Sequence, residues 1–268
     1  MMQIAIVNMH LKMGGIKKSL ENLLDGLNDT PIQIDLYLLR GDKEEVLRIQ
    51  RNRCVRNVFV IGKTNIYYHT LGEQKNVLGR LLKLVYGMSS RLFGRYWTLS
   101  HLVKAEQLAD KKYDVVISYS NGIWTYGKRG FTGGCELLAK RISGGAKVAW
   151  IHSNPKNLGI TKKVGEEIYS SFDKIVNVSF GCKEIFDGIC PELIGKSVVV
   201  YNLTGSSEIL KLKEEFIPYD GGFNILTVAR LDNKSKRLDC ITECCRRLKN
   251  VGCYLNGILL AMGMICPY

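Results

Sequence analysis

The sequence predicts a doubly wound α/β fold built on a parallel sheet. Short β-branched and apolar runs alternate with longer amphipathic stretches along its 268 residues, the pattern of strands joined by helical crossovers. Short β-branched strands with helices between them imply parallel strands joined by right-handed crossovers.

Taken in order, strands are expected at 3–7 (QIAIV), 32–38, 57–61, 114–119 (DVVISY), 147–151 (KVAWI), 174–178 (KIVNV), 197–201 (SVVVY) and 223–228 (FNILTV). The longer amphipathic runs predict helices over 15–27, 75–88, 97–110, 134–142, 162–171, 180–187 and 236–249. After Asn202 the chain turns polar and charged (LTGSSEILKLKEEFIPYDGG) and ends that stretch in a Gly pair before a new strand. This reads as a connector into a second Rossmann-like unit, so the expected domains are 1–202 and 203–268.

The composition, 46% hydrophobic and 24% charged, is that of a globular protein. A net charge of +13 implies an acidic partner: phosphate, nucleic acid or an anionic membrane face. The nine cysteines include no C-x-x-C pair, and Cys240 and Cys244, one helical turn apart, lack the further ligands of a zinc set. Reduced thiols and no metal are expected, in a cytoplasmic protein. MMQIAIVNMH reads as a strand rather than a signal peptide, and no apolar run is long enough to cross a membrane. The sequon Asn202-Leu203-Thr204 is read as coincidental.

Three places could carry chemistry. In NMHLKMGGIKKSL, Gly14 and Gly15 follow the first strand and open a helix, where backbone amides can approach an anion. This is neither the G-x-G-x-x-G fingerprint nor a P-loop, and a plain turn with a helix start fits equally. In VAWIHSNP, a strand runs into His152, which then lands on the same carboxyl edge and could bond a sugar hydroxyl or phosphate. A histidine satisfied by its own fold is the alternative. In NILTVARLDNKSKRLD, Arg230 closes a strand and Lys236 sits at the expected start of a helix, a rigid fork and a mobile point charge suited to a diphosphate. Lys234 and Arg237 fit a solvated charge run better.

A fourth stretch, 75–105, carries Lys75, Arg80, Lys83, Arg91, Arg95 and Lys104 among Leu, Val, Phe and Trp, with no acid. It reads as a basic amphipathic segment for peripheral contact with an anionic membrane, at the inner face of the plasma membrane, or as a helix pair packed on the sheet.

These motifs together resemble glycosyltransferase family 4, of the two-domain GT-B fold. The likeness rests on the Gly-Gly loop, His152 after a mid-domain strand, Ser179 in VNVSFGCKEIF, Asn202 in VVVYN, and VARLDNKSKRLD, in that order over residues 1–249. It implies transfer of a sugar, with retained configuration, from a nucleotide-diphosphate donor to a glycan or lipid-linked acceptor, in bacterial surface polysaccharide (capsule) synthesis. On this resemblance Gly14 and Gly15 line the cleft, His152 contacts the transferring sugar, and Arg230 and Lys236 stabilise the departing diphosphate without a metal or other cofactor.

The chain departs from the pattern in its second domain. It ends before the family's acidic pair, so that domain is expected to be truncated and activity impaired. NGILLAMGMICPY stands where the family has a strand ending in Gly-Asp-Gly. A shifted reading frame permits that tripeptide, so a frameshift product is expected from residue 256 onward. The rival reading is a non-catalytic acceptor-binding module working with a separate donor-binding chain. Nucleic-acid binding is not expected: Tyr67, Tyr68, Tyr96 and Trp97 supply only a thin set of aromatics among basic residues.

Overall fold

The computed structural model of the chain describes residues 1–12, 14–62, 77–93, 97, 101, 103–104, 111–121, 134–213, 224–230, 236, 238–252 and 256–262. It divides into two compact units, Met1–Thr204 and Gly205–Tyr268.

The first unit is built on seven parallel strands: β1 (Met2–Asn8), β2 (Ile32–Leu38), β3 (Val55–Val60), β4 (Lys112–Ser118), β5 (Ser143–Ile151), β6 (Lys174–Asn177) and β7 (Ser197–Val199). Their order in the sheet is β3-β2-β1-β4-β5-β6-β7. The chain therefore winds outward from β1 in one direction, returns, and winds outward from β4 in the other. The point of reversal lies between β1 and β4, where open α/β sheets leave a crevice at the carboxyl ends of their strands.

Among the described residues this unit has the helices α1 (Gly15–Leu27), α2 (Lys43–Ile49), α3 (Val77–Leu92), α4 (Gly134–Arg141), α5 (Lys162–Glu167) and α6 (Phe180–Ile189). Two apolar layers form, one on each face of the sheet. On one, Ile4, Ile6, Leu36 and Leu38 meet Leu20 and Leu24 of α1 and Ile49 of α2. On the other, Val7, Val116, Ala149 and Ile151 meet Leu138 of α4, Val164 of α5 and Phe186 of α6. The second layer is tight where α5 meets Cys190: a Cβ at Gly165 would run into the Cys190 sulfur.

Several elements differ from expectation for local reasons. α2 falls in a segment with no expected helix; Asp42 caps it, accepting from the Glu45 amide at 2.9 Å, and Glu44 and Glu45 occupy its first turn. The helix expected over 162–171 stops at Glu167 and resumes as a 3-10 turn, Tyr169–Ser171. Trp97 and His101 are helical, but Val103 pairs with Gly62 in an antiparallel bridge, so no helix runs through 103; residues 105–110 lie outside the described residues. Ser179 is the N-cap of α6, accepting from the Cys182 amide at 3.2 Å.

The second unit holds α7 (Ser206–Leu212), β8 (Asn224–Arg230), α8 (Asp239–Asn250) and β9 (Asn256–Met262). α7 lies in the stretch read as connector. β8 and β9 pair in parallel from Asn224↔Asn256 to Arg230↔Met262, one βαβ turn of a second parallel sheet. Along α8, Glu243 holds Arg246 and Arg247 in ion pairs one turn away.

Candidate active site

The ends of β1, β4 and β5 are adjacent in the sheet, and each delivers polar residues to the carboxyl edge. The loop after β1 is tied to the loop after β4 by the Met9 amide, which donates to the Ser120 hydroxyl at 2.8 Å. The loop after β4 is tied in turn to the end of β5. Asn121 accepts from the His152 amide at 3.0 Å and donates to the Trp150 carbonyl at 2.9 Å. Neither Ser120 nor Asn121 stands out in the sequence.

Gly14 and Gly15 open α1 at this edge. Gly14 is close to fully extended, with φ 159° and ψ 171°, and no side chain caps the helix. A Cβ on either glycine would meet nothing within 4 Å. Packing therefore does not demand these glycines; what they leave clear is the space before the first amides of α1. No acid occupies the first turn, and Lys17 and Lys18 follow the pair. An uncapped, acid-free helix start has the charge character of an anion site.

His152 is half-buried in an aromatic group. Its ring lies 4.6 Å from that of Tyr119 and 6.1 Å from that of Trp150, centroid to centroid. Tyr119 is fully buried, and its hydroxyl shares a 2.6 Å hydrogen bond with Ser19 of α1. A chain of contacts thus runs from α1 through Tyr119 to His152. Among the described residues neither ring nitrogen of His152 has a hydrogen-bond partner, although both are buried. Burial pushes the imidazole pKa down to about 4, and the Tyr119 backbone offsets this only in part. The neutral ring has one nitrogen that donates and one that accepts.

His10, in the loop after β1, is differently placed. Its Nδ1 accepts from the Lys12 amide at 3.2 Å, and burial, then the Lys12 charge, hold its pKa below the usual value.

Behind Asn121 stands a buried carboxylate. Glu136, at the start of α4, accepts from the Tyr169 hydroxyl at 3.1 Å and lies 3.5 Å from the Asn121 amide nitrogen. Polar contacts thus run from Tyr169 through Glu136 and Asn121 to the backbone of His152.

Arg230 and Lys236 lie in the second unit. Arg230 is the last residue of β8, at its carboxyl end. Lys236 is exposed and helical, but α8 begins three residues later, with Asp239 in its first turn. Lys236 therefore precedes α8, where the sequence places it at a helix start. Lys234 and Arg237 lie outside the described residues. Among the described residues, no group of three or more His, Cys, Asp or Glu side chains could hold a metal ion.

By fold class this is a Rossmann-like, doubly wound α/β protein. No family model and no curated protein matches the chain. Among solved structures it is similar to HepE of Anabaena in complex with UDP-glucose, at 14% identity over 98% of this chain and 69% of that one, with a TM-score of 0.44. It is also similar to a glycosyltransferase from Rickettsia africae, at 12% identity over 96% of this chain and 68% of that one, TM-score 0.43. For the E. coli heptosyltransferase WaaC with ADP-2-deoxy-2-fluoro heptose the figures are 14%, 96%, 68% and 0.32.

Proposed function

We propose that this chain is a glycosyltransferase of GT-B type that takes a sugar from a nucleotide-diphosphate donor. The observation that supports the reading best is the pairing at the β1/β4 crevice: a neutral His152 with two unpartnered ring nitrogens, beside an uncapped helix start cleared by Gly14 and Gly15. One element suits sugar hydroxyls and the other suits phosphate.

In this reading the bond between the anomeric carbon and the donor phosphate oxygen breaks, and a bond to an acceptor hydroxyl forms on the same face of the sugar. The leaving nucleoside diphosphate takes the electron pair, and the acceptor's proton passes to its phosphate oxygen. Arg230 and Lys236 oppose the negative charge that grows on the diphosphate, the largest electrostatic task in the step. His152 holds the sugar by donating from one nitrogen and accepting at the other. Because its pKa lies near 4, it acts as a neutral hydrogen-bonding group at neutral pH rather than as an imidazolium. The acceptor is a growing glycan or lipid-linked sugar, and the setting is bacterial surface polysaccharide synthesis by a family 4-like enzyme.

The test is release of nucleoside diphosphate from a panel of nucleotide sugars, with and without His152→Ala. Loss of one polar contact that strengthens in the transition state should lower turnover about ten- to a thousandfold while leaving the melting curve near that of the wild type. Equal turnover in the two proteins would remove His152 from the site.

A further inference from the structure

We propose that α3 is an interfacial helix that docks this protein on anionic lipid. An amphipathic helix of a globular protein ordinarily turns its apolar stripe to the core. In α3, Tyr86 packs against the core, while Leu78, Leu81, Leu84, Val85, Met88 and Leu92 are exposed. Val77, at 81% exposure, and Leu92, at 76%, mark the two ends. At about 100° per residue these six side chains fall within an arc of about 120°, a continuous stripe rather than scattered exposure.

Charge complementarity selects the occupant. Arg80 and Arg91 project within about 40° of the stripe's edge. No acid occurs between Glu73 and Glu106. Beyond the helix, Phe93 and Trp97 are exposed, their ring centroids 4.8 Å apart, and aromatic rings of this kind favour the lipid–water boundary. A second copy of the chain would bring like charges together on a protein that already carries +13. An anionic bilayer surface takes up the apolar side chains to headgroup depth and attracts the arginines. No helix among the described residues is long and apolar enough to cross a membrane, and α3, at 16 residues, would lie in the surface plane. This inference stands apart from the sugar-transfer reading and fails or survives without it.

The test is co-sedimentation with vesicles of phosphatidylcholine, alone or mixed with phosphatidylglycerol. The wild type should sediment with the mixed vesicles at low salt and far less with phosphatidylcholine. Leu81→Asn, Leu84→Asn and Met88→Asn combined should weaken that partition at least about tenfold. Arg80→Gln and Arg91→Gln should each weaken it about fivefold. Should the triple variant fail to fold, quenching of wild-type tryptophan emission by brominated phosphatidylglycerol, diminished in Trp97→Phe, provides the same reading. The proposal is overturned if the wild type ignores the mixed vesicles, if the substitutions leave binding unchanged, or if the emission is not quenched. It is also overturned if the wild type is a dimer in solution that the triple variant makes monomeric, which would give the stripe to a second copy.

Discussion

The Asn121 side chain accepts a hydrogen bond from the backbone amide of His152 at 3.0 Å and donates one back to the carbonyl of Trp150, two residues earlier. The loop after β4 thereby clamps the end of β5 on both sides of the residue that joins them. Two ring nitrogens kept free of partners need a backbone held by something else, and Asn121 holds it.

Asn121→Ala should therefore act on His152 without touching it. Two buried backbone groups lose their partner, at a cost of about 1–3 kcal/mol, read as a lower urea midpoint with an unchanged slope. The loosened loop should admit water to the ring, so the His152 pKa, followed by NMR, should rise from about 4 towards 6.5. An unmoved titration would mean that Asn121 does not position the histidine.

The depressed pKa of His152 has a definite sign for stability. The unfolded chain titrates near 6.5 and the folded one near 4. Between these values the unfolded state binds more protons, so stability falls as pH drops through 6.5 and continues falling to about 4. The full effect is on the order of 3 kcal/mol. His152→Phe, which keeps a ring beside Tyr119, should lose this slope. Denaturation curves for the two proteins measured across that window should converge or cross as pH falls; parallel curves would contradict the assignment.

Asp35 has the same sign in a more acidic window, since its folded pKa is also depressed. It is fully buried in β2, where Arg56 Nε at 2.9 Å, Asn57 at 2.8 Å, Tyr113 Oη at 2.8 Å and Lys111 at 3.2 Å surround its carboxylate. Burial pushes its pKa up, but the hydrogen bonds, Arg56 first, outweigh this and hold it well below the usual carboxylate range. Its contribution is complete above the unfolded value of 3.8 and disappears as pH falls below it. Asp35→Asn should cost about 3–5 kcal/mol at neutral pH, because Arg56 and Lys111 lose their counter-charge. Its stability should also fall less steeply in acid. A variant as stable as the wild type, measured by thermal and urea unfolding, would contradict this account of the cluster.

The parallel strands were legible because runs such as QIAIV and KVAWI have only one packed use. Gly14, Gly15 and His152 were legible because they punctuate the ends of such runs. α2 was not, since its seven residues are mostly charged and Asp42 with Glu45 is a cap only once the helix exists. Asn121 was hidden for a different reason. A polar residue after a strand reads as loop until the sheet order sets β4 beside both β1 and β5. The exposure of α3 was equally invisible: periodicity reveals a stripe but not which way it turns.

The most direct test of a nucleotide-diphosphate site is calorimetric titration of the chain with UDP, ADP and GDP and their sugars. One nucleoside diphosphate should bind saturably. A charge-assisted phosphate contact is worth roughly 1.5–3 kcal/mol, so Arg230→Ala and Lys236→Ala should each weaken binding about ten- to a hundredfold. Lys234→Ala and Arg237→Ala should leave it nearly unchanged. Absence of binding to every member of the panel, or affinity indifferent to Arg230, would contradict the account.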